Sequence, residues 1–294
     1  VAPSLSRTAP AKINLCLHVT GQRPDGYHLL ESLVVFTQFG DRLTVSPSSE
    51  DEFTVTGPQA TGLPVGAENL VLRARDLLRE ETGHVEHVAI KLEKNLPAAS
   101  GMGGGSSDAA STLILLNALW KLGLKQDRLA RIALKLGADV PMCLSETPLI
   151  ARGIGEDITP LSAVAELSVL LVNPGVPVST PEIFRKLERK ENPPLPPLTA
   201  LDTAPALFDW LHRTRNDLQE PATRIQPEIS HCLSALLATG AELVRMTGSG
   251  ATCFGLFSSQ EAAERAREEI SASHPDWFVV ATSLLHETEA FDHV

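Results

Sequence analysis

Apolar and polar side chains alternate roughly along Ile13–Val19, as expected of a half-buried strand. Leu33–Phe39 and Arg42–Val45 have the same character, and Gly40-Asp41 reads as a tight turn between them. Phe53–Thr56 is a further short strand. The period then lengthens: Leu70, Ala74, Leu77 and Leu78 share one face of a helix over Asn69–Glu80, with Asn69 as its N-cap. Val88–Leu92 returns to strand. A Gly- and Ser-rich loop, Pro97–Ser107, leads into a helix predicted over Asp108–Leu122, with Gly123 as its C-terminal cap. Asp127 caps another helix, which runs through Leu136 and stops at Gly137.

In the second half, Leu167–Val172 is an almost wholly apolar run and predicts a buried strand. Asn192–Leu198, NPPLPPL, fits neither a regular helix nor a central strand and reads as a linker or surface excursion. Pro227–Ala238 predicts a helix. Leu243–Thr247 and Thr252–Phe257 predict strands around a second Gly-rich turn. Gln260–Ser271 reads as a charged amphipathic helix and Trp277–Leu285 as a last strand. The mixture points to an α+β fold with two layers. A boundary near residue 160 would give two halves, each with its own sheet.

Composition narrows the function classes. Of 294 residues, 43% are hydrophobic, enough for a full core. Lys and Arg number 25 against 36 Asp and Glu, a net charge of −11, so general nucleic-acid binding and anionic membranes are poor expectations. No apolar run approaches the ~20 residues of a membrane span, and the N-terminal stretch lacks a signal peptide's basic region and apolar run. A cytoplasmic location is expected. Cys16, Cys143, Cys232 and Cys253 are far apart, with no C-x-x-C pair, and read as buried thiols.

The strongest chemical signal is Leu96–Ala110, LPAASGMGGGSSDAA, between a strand and a helix. Its glycines let the backbone take left-handed angles and approach a ligand closely. Successive amides and the helix N-terminus then favour a phosphate. Two better-known loops do not fit. A Walker A loop needs Lys after its last Gly, and here Ser106 follows Gly105; both G-x-G-x-x-G frames fail, at Ser106 and at Asp108.

PAASGMGGGSSDAA resembles the nucleotide loop of the GHMP kinases. Pro10–Leu15, PAKINL, resembles their first motif, and Met246–Phe254, MTGSGATCF, their third. The resemblance implies a two-domain α+β fold, 1–160 with the glycine-rich loop and 161–294, with the active site in the cleft between them. Gly21–His28 (GQRPDGYH), Gly137–Cys143 (GADVPMC) and Asn173–Phe184 (NPGVPVSTPEIF) resemble the branch that phosphorylates a CDP-linked methylerythritol. Another GHMP small-molecule kinase, of homoserine or mevalonate type, is the alternative. A nucleotide-binding regulator without catalysis is a third, opposed by the presence of both Lys12 and Asp139.

The resemblance also implies roles. Asp139 is the catalytic base and Lys12 the catalytic lysine. Pro97, Ala98, Ala99, Ser100, Gly101, Met102, Gly103, Gly104, Gly105, Ser106 and Ser107 form the ATP loop, with Asn69 and Lys94 lining the adenosine pocket. Tyr27 and His28 recognise cytidine, Phe184 walls the cytosine slot, and Thr180 is a hydroxyl contact. Asn14 shares the side-chain direction of Lys12 because strand side chains alternate. Gly248, Ser249 and Gly250 close over the substrate. ATP with Mg2+ is the expected co-substrate, with no metal ligand set identified. The small-molecule substrates are the expected partners, and the chain is expected to be a monomer or weak homodimer.

Overall fold

Two long strands begin the computed structural model, which describes residues 4–285 and the backbone of 292–293. β1 (Leu5–Gln22) and β2 (His28–Pro47) form an antiparallel hairpin. The expected Gly40-Asp41 turn is instead part of continuous strand. Lys12 pairs with Phe36 and Pro10 with Gly40, so β2 bulges over 37–39 and runs on. Gly40 answers a close approach: a β-carbon there would lie 2.1 Å from the Ala9 carbonyl oxygen.

β3 (Glu52–Thr56), α1 (Leu70–Thr82) and β4 (Val88–Glu93) follow, with β3 parallel to β4. Asn69 caps α1, accepting a hydrogen bond from the Val71 amide at 2.9 Å. α2 spans Gly104–Leu119 and α3 Gln126–Leu136. α2 begins four residues earlier than expected, because Gly103, at φ 64°, takes the left-handed capping conformation within the glycine run. It ends at Leu119, capped by Trp120, before the expected Gly123. Lys125 is the N-cap of α3 and Asp127 lies in its first turn; Gly137 ends the helix as expected.

A short 3-10 turn (Met142–Leu144) leads to β5 (Leu149–Gly153) and β6 (Asp157–Pro160). β5 pairs with the start of β2 and β4 with its end, on the edge away from β1. With β11 (Asp292–His293) against β1, this sheet has seven strands. The second sheet joins β7 (Ser168–Asn173), β8 (Leu243–Met246), β9 (Cys253–Phe257) and β10 (Phe278–Ser283) in the antiparallel order β10-β7-β9-β8. α4 (Thr180–Lys186), α5 (Ala204–Leu211), α6 (Gln219–Ile225) and α7 (Glu228–Ala238) lie between β7 and β8, and α8 (Gln260–Ser273) between β9 and β10. Asn192–Leu198 has no regular structure, as its prolines dictate. α4, α5, α6, β5 and β6 are not among the elements the sequence pattern predicts.

Three apolar cores result. One lies between the larger sheet and α1, α2 and α3. One packs α7 and α8 on the smaller sheet. The third joins the two halves: Ala11, Ile13 and Leu15 of β1 meet Val169, Leu171 and Trp210. Those odd-numbered side chains leave Lys12 and Asn14 on the opposite face of β1.

Candidate active site

Lys12 Nζ donates to Asp139 Oδ2 at 2.9 Å. β1 supplies the lysine; Asp139 stands between the Gly137 stop of α3 and the 3-10 turn, so its carboxylate projects from the end of a helix. The Lys12 side chain is 7% exposed and that of Asp139 44%. Burial works against the Lys12 ammonium, but the Asp139 charge and hydrogen bond outweigh it and raise its pKa. In return the Lys12 charge and hydrogen bond lower the pKa of Asp139. At neutral pH the pair is an ammonium and a carboxylate.

The first motif and the two glycine-bearing segments converge on this pair. The Lys12 amide donates to the Met102 carbonyl at 2.8 Å, and the Thr252 amide to the Ser100 carbonyl at 3.1 Å. Gly103 crosses Lys12 so closely that a β-carbon would lie 3.0 Å from Lys12 Cε. The first helical hydrogen bond of α2 runs from the Ser107 amide to the Gly103 carbonyl. The amides of Gly104, Gly105 and Ser106 therefore precede the bonded ladder, where a helix offers free donors to an anion. Asn14 ties in the third segment, its amide donating to Thr247 Oγ1 at 2.8 Å and its Nδ2 to Ser32 Oγ at 2.7 Å. Asn14 Oδ1 is buried without a partner.

A cavity of about 370 Å³ opens over the pair, lined by Lys12, Asn14, Ala99, Gly101, Gly103, Asp139, Thr180, Phe184, Gly248 and Ser249, with apolar walls from Leu30, Val34, Met142 and Ile154. Thr180 and Ser249 bridge it through their hydroxyls at 2.7 Å. Leu30, Ile154, Thr180 and Phe184 also line a neighbouring cavity of about 540 Å³, which holds Tyr27, His28, Arg185 and Lys190. The His28 and Phe184 rings stack at 4.7 Å, leaving no room for a base between them. A flat ligand would instead meet their outer surfaces and Tyr27, which is 61% exposed. His28 Nε2 is buried without a partner, and burial followed by the nearby Lys190 charge lowers the ring's pKa.

Other expected residues are placed differently. Asn69 caps α1 and donates to the Pro64 carbonyl at 2.8 Å. Lys94 is buried between Asp41 and Asp108. Neither lines the two cavities. They lie buried against the loop: a β-carbon on Gly104 would approach Lys94 Nζ, and one on Gly105 would approach Leu70 beside Asn69. Met102 points into the core and meets Lys12 only through its carbonyl. Ser107 is fully buried, with its hydroxyl unpartnered. Pro97, Ala98, Ser100, Gly105, Ser106 and Gly250 also lie outside the cavity lining, though Gly250 packs against Gly101.

Asn216 was not legible in the sequence. Its Nδ2 donates to the carbonyls of Met246 (2.7 Å) and Gly248 (2.8 Å), fixing the third segment from below. The polar run Arg215-Asn216-Asp217 was its only signal. Thr247, Asp41 and Asp108 are likewise not singled out by the sequence, each lying within a strand, turn or helix with a structural reading of its own, and Ser32 falls just before the expected strand Leu33–Phe39.

Residues 69–147 match the model of the GHMP kinases N terminal domain, and residues 200–276 that of the GHMP kinases C terminal. Fold and site thus define a small-molecule kinase of the GHMP class. A 4-diphosphocytidyl-2-C-methyl-D-erythritol kinase from Brucella melitensis biotype 1 is 55% identical over 283 residues, 95% of this chain and 94% of that protein. A crystal structure of a 4-(cytidine 5'-diphospho)-2C-methyl-D-erythritol kinase superposes with a TM-score of 0.80 at 36% identity, over 95% of this chain and 98% of that one. A homoserine kinase from Cytophaga hutchinsonii shares the fold at 19% identity and a TM-score of 0.68, over 100% and 97% of the two chains. The chain belongs to the family of 4-diphosphocytidyl-2-C-methyl-D-erythritol kinases.

Proposed function

We propose that this chain transfers the γ-phosphoryl group of ATP to the 2-hydroxyl of 4-diphosphocytidyl-2-C-methyl-D-erythritol, giving the 2-phosphate and ADP in the non-mevalonate route to isoprenoid precursors. The observation that carries the reading is the Lys12–Asp139 pair at 2.9 Å, set between the glycine loop and a cavity that continues to Tyr27, His28 and Phe184. Family membership favours this acceptor over homoserine or mevalonate.

The amides of Gly104, Gly105 and Ser106 hold the ATP phosphates at the start of α2. The acceptor hydroxyl donates to Asp139 while Lys12 orients both and offsets charge developing on the phosphoryl oxygens. A bond forms from the acceptor oxygen to the γ-phosphorus, the bond to the ADP oxygen breaks, and the hydroxyl proton passes to Asp139. Lys12 makes Asp139 a weak base. Deprotonation therefore comes late, and positioning of the hydroxyl contributes more than early proton removal. The base stacks on Tyr27 and the outer face of Phe184, beside His28 in the same cavity.

The two carboxylates beside the loop, Asp41 and Asp108, are engaged by Lys94, and among the described residues no three His, Cys, Asp or Glu side chains could hold a metal together. That arrangement fits magnesium carried in on the ATP phosphates, a hard cation content with phosphate and water oxygens. Two domains, 1–160 and 161–294, agree with the division of strands between the two sheets, apart from β11. A cytoplasmic enzyme acting as a monomer or weak homodimer completes the reading. The test is ADP release with MgATP and the CDP-linked acceptor, beside Asp139→Asn. A fall of about 10²–10⁴ in the variant is expected; no turnover by folded wild type that binds ATP would reject the acceptor.

A further inference from the structure

Beneath the glycine loop lies a charged unit that the transfer chemistry does not use. Lys94 Nζ donates to Asp41 Oδ2 and, at 2.9 Å, to Asp108 Oδ2. None of the three side chains is more than 4% exposed. Asp41 comes from β2, Lys94 follows β4, and Asp108 lies in the second turn of α2. The other oxygen of Asp41 accepts the amides of Asn95 (2.6 Å) and Leu96 (2.8 Å), the residues that lead into the loop. The unit therefore grips the loop at its entry and, through Asp108, at its exit. It also lies directly under the phosphate end of α2: a β-carbon on Gly104 would be 3.0 Å from Lys94 Nζ and 3.4 Å from Asp41 Oδ2.

We propose that Asp41, Lys94 and Asp108 are positioning residues for the ATP phosphates, and that Asp108 carries a proton when the nucleotide is bound. The inference rests on the reading of the loop as the ATP site. Two carboxylates face one ammonium, so the fully ionised unit has one negative charge in excess, and the triphosphate adds more within about a helical turn. At that depth the repulsion is little screened. One proton on Asp108 removes it without disturbing the grip.

The surroundings agree. Burial, then Asp41, push Asp108 up to about 8 against the pull of Lys94. Asp108 Oδ1 has no hydrogen-bond partner, and Ser107 Oγ and Ser111 Oγ on the same stretch of α2 have none. From the 3-10 turn Cys143 faces the unit as a buried thiol, with its pKa pushed up by burial. On β1, Lys12 is engaged by Asp139. α1 and α3 bring apolar side chains such as Val71, Ala74, Ile132 and Ala133 to this core.

The test is calorimetric titration of MgATP into the full chain, without acceptor, from pH 7 to 9.5. In the wild type Kd should rise about tenfold per pH unit once the free protein's Asp108 has ionised, the slope for uptake of one proton. Asp108→Asn keeps an oxygen for Lys94 and should flatten the profile. Lys94→Met in the Asp108→Asn background should raise KM for ATP about tenfold or more while KM for the acceptor stays within about twofold. A flat wild-type profile, a slope that survives Asp108→Asn, or equal rises in both KM values would overturn the proposal. Absence of ATP binding at every pH would instead remove the underlying reading of the loop.

Discussion

Gly101 and Gly248 meet backbone to backbone: a β-carbon on Gly248 would lie 2.9 Å from the Gly101 carbonyl oxygen, and one on Gly101 would lie 2.6 Å from the Thr247 carbonyl oxygen. Both are in the left-handed region, at φ 80° for Gly101 and 55° for Gly248. The nucleotide loop of the first half and the Gly-rich turn of the second are thus held at a separation that only hydrogen side chains allow. Gly101→Ala should destabilise the fold by about 2 kcal/mol or more, from strain plus collision. A thermal melt checks this. An unchanged Tm would mean that the two segments can part freely.

Lys12→Met should reduce kcat by about 10²–10³, the scale of losing one donor to developing negative charge. It should also return Asp139 toward an ordinary carboxylate pKa, because Lys12 is the main cause of its depression. The acid limb of the kcat profile would then move to higher pH in the variant. If kcat fell with no such move, the lysine would act without touching Asp139's proton.

The same pair sets the pH range. Asp139 is lowered, so its stabilising contribution is present above the ordinary carboxylate range and lost as pH falls through the lowered value. Lys12 is raised, so its contribution is present below the ordinary lysine range and lost as pH rises through the raised value. At saturating substrates kcat should stay level between about pH 5 and pH 9, inside the ordinary values of both groups. A fall in kcat on either side within that range would point to a different essential acid or base.

Phe184→Ala removes one wall of the outer cavity and the stacking partner of His28. A lost base–aromatic stack is worth about 1–3 kcal/mol, so KM for the CDP-linked acceptor should rise about 5–150-fold. KM for ATP should not follow. Equal changes in both would make Phe184 a packing residue.

Much of the fold was legible where a side-chain period runs uninterrupted. α1, α7, α8, β4 and β7 fall close to expectation because apolar spacing and caps agree. Gly40-Asp41 has turn chemistry and so divides β2 in the sequence, whereas in the fold the glycine relieves contact with Ala9 and Asp41 turns inward to Lys94. The glycines before α2 signal loop in the sequence, although Gly103 is already its cap. Lys12 and Asp139 could be named from motifs, yet nothing local records that residues so far apart in sequence would touch. Lys94 shows the converse: a lysine at a strand end looks solvated until two distant carboxylates close on it.

The apolar seam through Ala11, Ile13, Leu15, Val169, Leu171 and Trp210 has a consequence for how the molecule comes together. The strand that carries Lys12 on one side carries the wall of that seam on the other. A chain cut near residue 160 would leave each piece with a wet, greasy flank, and neither would keep its shape alone. The whole should therefore melt in one step. Damage deep in the seam, well away from any substrate, should weaken catalysis, because the lysine rides on the same strand.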